Sequence, residues 1–266
     1  MECLNNCNLN AKKITLKMLA DKNCNNKTIY ELNAKSKGIR YRLEYAPVGN
    51  DIKDPTVIIC GITPGNDTWN MFLESLRNGN TFEKATRESI YSNMRKNLFE
   101  CLDEIGLFNY LAHNHSYWQK AQRAKTYKDY WDKIFSDSFA SNNCGMQLTQ
   151  ACNCAILRNT DSSQPTKTAL NEIVNGDSNC LFNRFQINNS LKLIIFLGTT
   201  LNLEKYWKYS GYYNRDVRVL SLPHPSRNNR VFNNGDIFKP FNKNDNTQLR
   251  NAKERLLEAK RIISQF

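Results

Sequence analysis

Residues 56–67 read TVIICGITPGND, an apolar run followed by a loop with two glycines, a proline and polar side chains. The run, residues 56–60, has the length and the β-branched content of a buried strand. A second such run, residues 217–220, is followed by LPHPS at residues 222–226. Because open α/β sheets bind ligands at the carboxyl ends of their parallel strands, we expect the two loops to face one substrate.

The order of strands and helices predicts the fold class. Strand-like runs at residues 56–60, 191–197 and 217–220 alternate with helical periodicities, and a final helix over residues 242–266 closes the domain. Consecutive parallel strands require a crossover, which a helix usually supplies. The pattern therefore predicts an α/β fold, a three-layer α/β/α sandwich around a short, mainly parallel four-stranded sheet.

The chain has 266 residues, enough for one sizeable core. Residues 1–54 are rich in Asn and Lys and are predicted to form a partly helical lead-in, with a helix over 11–22 and an extended segment at 40–45. Residues 55–266 are predicted to form the functional domain, with an enlarged helical region at about 80–145.

The formal net charge of +12 favours a polyanionic partner, and nucleic acid is the commonest such partner. The sequence contains no apolar run close to the roughly 20 residues of a membrane span, and its amino terminus lacks a secretion-signal pattern. These features predict a nucleic-acid-binding protein of the cytoplasm, without a membrane partner, and we expect it to be a monomer.

Four segments, residues 61–65, 151–158, 191–200 and 224–226, occur in the order found in one enzyme family. Together they resemble the uracil-DNA glycosylase superfamily, over roughly residues 56–230. The resemblance implies a DNA glycosylase that needs no metal, flips a base out of the duplex and hydrolyses its N-glycosidic bond to leave an abasic site. His224 would then donate a hydrogen bond to a base carbonyl oxygen and stabilise the departing anion.

The water-handling position departs from the family pattern, because Ile62 and Thr63 stand where compact relatives carry Asp, Asn or Glu. Thr63, Asn66 and Asp67 are therefore the candidates for orienting or polarising the attacking water. Asp67 is the preferred one, and its alternative role is to cap the helix that begins near Trp69.

The remaining predicted site residues contact the base or the DNA backbone. Trp69 and Phe72 are predicted to stack on the flipped base, and the Asn153 amide, with both a donor and an acceptor, to read its polar edge. Glycines in the first loop would let the backbone approach the base or sugar closely. The predicted base-binding set is Gly61, Ile62, Gly65, Trp69, Phe72 and Asn153, and the predicted DNA-binding set is Ser226, Arg227, Asn228, Asn229, Arg230, Arg123 and Lys125.

The helical region between the first loop and Asn153 is longer than the resemblance leads us to expect. Helical spacing covers residues 81–106 and 117–139, and the second stretch mixes aromatic with basic side chains. Two interpretations stay open: an extra helical pair that packs against the sheet, or a surface that widens the base pocket or grips DNA.

Nine cysteines and three histidines leave little sign of a metal site. We expect no cofactor and mostly buried free thiols. Some superfamily members hold an iron-sulfur cluster, for which the alternative ligands here would be Cys3, Cys7, Cys154 and Cys180. His113 and His115 are predicted to be solvent-facing loop residues.

The resemblance leaves the excised base open. Uracil or a modified pyrimidine is the first expectation, and an antiviral enzyme that excises a bulky base such as glucosylated hydroxymethylcytosine is one alternative. A catalytically weak relative that binds DNA without cutting is the other.

Overall fold

The computed structural model describes residues 16–21, 28–34, 39–50, 52, 54–121, 127–136, 145–152, 154–158, 181–182, 185, 187–199, 202–210, 213 and 215–266. Its strands are β1 (Thr28–Ala34), β2 (Ile39–Tyr45), β3 (Val57–Gly61), β4 (Met146–Gln150), β5 (Cys154–Arg158), β6 (Leu193–Leu197) and β7 (Arg218–Leu222). Its helices are α1 (Leu16–Ala20), α2 (Asn66–Arg77), α3 (Phe82–Ser89), α4 (Arg95–Glu104), α5 (Leu107–Asn114), α6 (Ser116–Ala121), α7 (Tyr127–Ser136), α8 (Leu203–Lys208) and α9 (Thr247–Ile263), with a 3-10 segment at Arg230–Phe238.

A four-stranded sheet with the order β4-β3-β6-β7 forms the centre of the fold. All three strand pairs in it are parallel, so the four carboxyl ends share one edge. Gly61 at the end of β3 lies opposite Gln150 of β4. On the other side of β6, Leu197 lies opposite Leu222, the last residue of β7.

Alternate side chains of the central strand β3 enter two different hydrophobic cores. Val57 and Ile59 face the larger core, which contains the buried faces of α2, α4, α5 and α9. Ile58 and Cys60 face a second core with Trp207 of α8. Helices therefore cover both faces of the sheet, and the predicted α/β fold is confirmed.

The second sheet is small and antiparallel, with the order β1-β2-β5. The predicted extended segment at residues 40–45 lies in β2, which pairs with β5. The segment 151–158, which resembles a strand of the family, forms a strand only over β5 among its described residues, and β5 joins the small antiparallel sheet. The fourth strand of the parallel sheet is β4, which the sequence pattern did not indicate.

The helix predicted over residues 81–106 is broken into α3 and α4. The break contains Tyr91, a buried residue whose φ of 52° lies in the left-handed region. Its hydroxyl accepts from Gly61 N and reaches the carbonyl oxygens of Ile59 and Thr149, so the turn is held by the ends of β3 and β4. These long-range contacts stabilise a conformation that helical periodicity alone disfavours.

Aromatic side chains of the enlarged helical region are core residues. Trp118 of α6 and Tyr130 and Trp131 of α7 are buried, and the last two make ring contacts with Phe99 of α4. Phe135 is also buried and contacts Trp131. These contacts support the interpretation that α6 and α7 pack against the domain.

Candidate active site

The loops that follow β3 and β7 meet at Gly198, the residue after β6. A Cβ atom at position 198 would lie 3.4 Å from His224 Cδ2 and 3.8 Å from Ile62 Cδ1. Gly198 has a φ of 97°, which L side chains rarely adopt, and its N–H donates to the Leu222 carbonyl over 2.9 Å. Because β6 lies between β3 and β7, this glycine lets the two predicted loops approach each other across the middle strand.

The backbone around His224 is held on both sides. Pro223 and Pro225 are buried, and each proline restricts its own φ. Asn229 Nδ2 donates to the His224 carbonyl over 2.8 Å, and Asn97 Nδ2 of α4 donates to the Pro225 carbonyl over 3.1 Å. The backbone that carries the imidazole is thus held in place before any ligand arrives.

The imidazole of His224 is neutral, and its ring nitrogens are available to bind a ligand. Burial lowers its pKa below the ordinary histidine value, so the ring is uncharged at neutral pH. No hydrogen bond to either ring nitrogen occurs within the described part of the chain. The ring borders a cavity of about 250 Å³ that is also lined by Thr199, Gln248 and Arg255. A neutral imidazole carries one N–H donor and one acceptor, which suits contact with an uncharged polar ligand.

The first loop is bonded to the chain segment that follows β4. The carbonyls of Gly61 and Ile62 accept from Ala151 N over 2.8 Å and Cys152 N over 2.9 Å. The Thr63 hydroxyl donates to the Cys154 carbonyl. Asn153, the predicted base-reading residue, lies outside the described residues.

The candidate water-handling residues have different environments. The Thr63 proton is already donated, so its hydroxyl can serve water mainly as an acceptor. Asn66 and Asp67 begin α2, whose N-cap is Gly65 without a side-chain bond. The capping alternative for Asp67 is therefore wrong. Asp67 is exposed in the first helical turn, where its negative charge interacts favourably with the helix dipole. Its carboxylate accepts a hydrogen bond from Asn93 Nδ2 over 2.9 Å.

Two predicted base-stacking residues are structural. Trp69 and Phe72 are fully buried and stack on each other with ring centroids 5.7 Å apart. Trp69 Nε1 also donates to Glu44 Oε2 of β2 over 2.7 Å. The prediction that these rings stack on a flipped base is wrong, because the apolar face of α2 packs into the core and leaves them no exposed surface.

The predicted glycines serve unequal roles. A Cβ atom at position 61 would collide with the Gln150 side chain, so the close approach that needs Gly61 is made by a protein amide and not by a base. Gly65 is exposed, and a Cβ atom there would meet nothing within 4 Å. Ile62 is half-buried beside Gly198 and stays a candidate for contact with a ligand.

Gln150 and Tyr91 are residues of this edge that sequence reasoning missed. Gln150 is 3% exposed at the carboxyl end of β4, and its Oε1 has no hydrogen-bond partner within the described residues. An unpaired buried acceptor is costly and calls for a partner. No local sequence signal marks Gln150, because it lies beside Gly61 only once β3 and β4 have paired.

The residues after His224 lie at the same edge of the sheet. Arg227, Asn228 and Arg230 are exposed and Ser226 is half-buried, as contact with DNA requires. Asn229 has a structural task, because its Oδ1 accepts from Val231 N at the start of the 3-10 segment while its amide holds His224. Arg123 and Lys125 lie outside the described residues.

Metal-ligating side chains do not cluster within the described ranges, where no group of three or more His, Cys, Asp or Glu could hold an ion. Cys60, Cys101, Cys152 and Cys154 are buried, and none of the four forms a disulfide among the described residues. Cys3, Cys7 and Cys180 lie outside the described residues.

The other two histidines differ from their predicted setting. His113 is exposed but belongs to α5, where its Nδ1 lies 2.7 Å from the Asn109 carbonyl. His115 is half-buried, and its Nε2 lies 2.6 Å from Thr56 Oγ1. The His113 contact lies within α5, whereas the His115 contact joins the end of α5 to the residue before β3.

Neither a scan against protein-family models nor a comparison with curated proteins finds a match for this chain. No described helix is long and apolar enough to cross a membrane. The argument for function therefore starts from the geometry of the two loops.

Proposed function

We propose that the protein is a DNA glycosylase that hydrolyses the N-glycosidic bond of a flipped-out uracil or modified pyrimidine and leaves an abasic site. The observation that carries the proposal is the meeting of the Gly61–Gly65 loop and the His224 loop at Gly198. It brings a half-buried, neutral donor and a polar loop to one edge of a parallel sheet, where such folds bind ligands.

Hydrolysis of the N-glycosidic bond requires two groups, a donor to the departing base and an acceptor for the proton of the attacking water. As the bond from C1′ to the base nitrogen breaks, its electron pair moves to the base, and the His224 N–H would stabilise the charge on a base carbonyl oxygen. A water molecule then adds to C1′ through its oxygen and releases a proton. Asp67 is the carboxylate of the first loop region that can take this proton, with Thr63 and Asn66 as further contacts for the water.

The charge of the molecule supports DNA as the substrate. The net charge is +12, and Arg227 and Arg230 are exposed a few residues after His224. Such cations contact phosphates and position a duplex without selecting its sequence.

A second candidate function, DNA binding without excision, is favoured by the state of the first loop. The Thr63 proton is committed to the Cys154 carbonyl, and Asp67 is exposed and held by Asn93. A water in this loop would therefore meet a hydroxyl that can only accept from it and a carboxylate that already accepts from an amide.

The deciding experiment uses duplexes that each carry one test base, among them uracil and glucosylated hydroxymethylcytosine. Each is incubated with the protein, and abasic sites are revealed by alkali cleavage, with His224→Ala as the matched control. Cleavage that depends on His224 supports a glycosylase and identifies its base, including the antiviral alternative. Selective binding without cleavage supports the second candidate, and neither outcome with any base overturns the proposal.

A further inference from the structure

A groove of about 440 Å³ lies between the first turn of α4, α7 and the loop after His224. We propose that it binds the phosphodiester backbone of the DNA strand next to the flipped nucleotide. The proposal rests on the proposed function, because it takes DNA as the substrate. The residues that carry it are Arg87, Met94, Arg95, Lys96, Lys128 and Arg227.

The groove is strongly cationic. Five Lys or Arg residues line it against two carboxylates, Glu88 and Asp132. Both carboxylates have partners: Asp132 pairs with Arg87 at 2.8 Å, and Glu88 accepts from Ser75 Oγ over 2.5 Å. The remaining positive charge in the groove calls for an anionic ligand.

The amino terminus of α4 adds to this field. Its N-cap, Met94, provides no side-chain bond, and no acidic residue occurs in its first turn. Arg95 and Lys96 stand there instead: the Arg95 guanidinium donates to the carbonyls that end α3, and Lys96 lies 3.8 Å from Glu100 of its own helix, in a pair whose two side chains are exposed. A phosphate would pair with both cations and accept from the first backbone N–H groups of this ten-residue helix.

Arg95 is preorganised within this cluster. Its Nη2 donates to the carbonyls of Arg87 and Glu88 over 2.8 and 2.7 Å, and its guanidinium carbon lies 4.0 Å above the centre of the Trp131 ring. The cation is held at the groove wall by contacts from α3 and α7. Little side-chain entropy is lost when a ligand binds to a charge that is already ordered.

The groove continues into both loops of the candidate active site. Asn97, in its wall, donates to the Pro225 carbonyl, and Asn93 donates to Asp67. Arg227 follows His224 by three residues and lines the groove itself. A strand whose base is held at His224 would pass its neighbouring phosphates along this surface. That continuity favours a nucleic-acid strand over a free anion, and the volume lies within the roughly 300–1,000 Å³ of ligand sites.

The test compares Lys96→Gln/Lys128→Gln with Lys192→Gln/Lys208→Gln, which has the same change of charge. Lys192 precedes β6 at the opposite edge of the sheet, and all four side chains are exposed. Affinity is measured by fluorescence anisotropy over a range of salt concentrations, with a duplex that carries a non-hydrolysable 2′-fluoro analogue of deoxyuridine. The groove variant is expected to lose about tenfold in affinity at low salt and to flatten the log–log salt slope by about 2, while the control keeps the wild-type slope.

Neutral methylphosphonates placed next to the target nucleotide locate the contact. They should weaken binding to the wild type and leave the groove variant unaffected. Equal slopes for the two variants, or equal sensitivity to methylphosphonates, would overturn the proposal. A site for free phosphate would instead show stabilisation of the wild type by inorganic phosphate in thermal melts, with unchanged DNA binding in the groove variant.

Excision assays on the same proteins separate the two proposals. A wild type that excises a base, with a groove variant of unchanged salt slope, rejects the groove alone. A groove variant that loses DNA affinity, with no excision of any base by the wild type, rejects the glycosylase alone. Failure of the wild type to bind the duplex rejects both.

Discussion

At the scale of single residues, His224 combines a fixed backbone with a neutral ring. Asn229 and Asn97 hold its loop, and burial lowers its pKa. A donor held in this way does not reorganise when charge develops on a ligand, which is the condition for strong stabilisation of an anion. Asp67, by contrast, is exposed and bonded to a single described amide.

We expect His224→Ala to lower the single-turnover excision rate at least ~100-fold, because loss of one preorganised donor costs about 2.7–4 kcal/mol in the transition state. Affinity for the uncleaved duplex should stay within a few-fold of the wild type. An unchanged excision rate would remove His224 from the mechanism.

Asp67→Asn separates base catalysis from helix stability. If the carboxylate takes a proton from water, the single-turnover rate should fall about 10²–10⁴-fold. The melting temperature should fall only slightly, because the charge contributes about 0.3–1 kcal/mol through the helix dipole. Asn93→Ala, which keeps the carboxylate but removes its partner, is the control. A wild-type excision rate in Asp67→Asn would exclude Asp67 as the base, and its role would then be limited to the electrostatic stabilisation of α2.

Gly61→Ala should destabilise the fold by about 1–3 kcal/mol in urea titrations, because the added methyl group meets the Gln150 amide. Gly65→Ala is the matched control, since that position is open, and it should be near neutral. The two substitutions Gly61→Ala and Gln150→Ala should couple in a double-mutant cycle by more than about 0.5 kcal/mol. Additive effects would contradict the close approach.

At the scale of elements, the break between α3 and α4 shapes this side of the molecule. The break allows the Tyr91 hydroxyl to contact the ends of β3 and β4. It also makes α4 a separate helix that begins at Arg95, so that its amino terminus faces the groove. A continuous helix over the same residues would have had no free amino terminus at this point. The sequence showed the apolar face of both helices but not the turn between them.

Trp118→Ala tests the packing of the enlarged helical region. The side chain is fully buried and contacts Phe108, so its removal should cost about 3–5 kcal/mol in unfolding free energy. The ranking of excised bases should stay as in the wild type, because a core cavity does not reach the ligand. A changed ranking in the folded variant, measured on the duplex panel, would instead favour a role in shaping the pocket.

At the scale of the whole molecule, burial of two histidines links stability to pH. Burial lowers the pKa of His224 and of His115 in the folded protein. At a pH between the folded and the unfolded pKa of these residues, the unfolded chain therefore binds more protons than the folded one. The free energy of unfolding should therefore fall as the pH drops below about 6.5, the unperturbed histidine value, and level off below the folded pKa.

Urea titrations at several pH values measure this dependence. A His115→Gln/His224→Gln variant should show a flatter profile than the wild type over that range. Identical profiles for the wild type and the double variant would contradict the assignment.

Local sequence patterns determined much of the architecture. The apolar runs of β3, β6 and β7 follow from β-branched residues in short stretches, and α9 buries Ala252, Leu256, Ala259 and Ile263 on the face that periodicity indicates. The order of the loops after β3 and β7 also placed His224 and residues 61–67 at one edge. Parallel strands make this possible, because every carboxyl end then lies on the same side.

Only the tertiary structure decided what those patterns face. β4 escaped detection because Gln147, Thr149 and Gln150 are polar, yet the neighbouring strand and helices bury them all. An apolar helix face identifies Trp69 and Phe72 as buried or ligand-facing without distinguishing the two, and packing against the core decides for burial. The collision of Gly61 with Gln150, the left-handed Tyr91 and the groove at α4 depend on residues far apart in the chain. Such contacts leave no local signature, because their energy exists only once the strands have paired and the helices have docked.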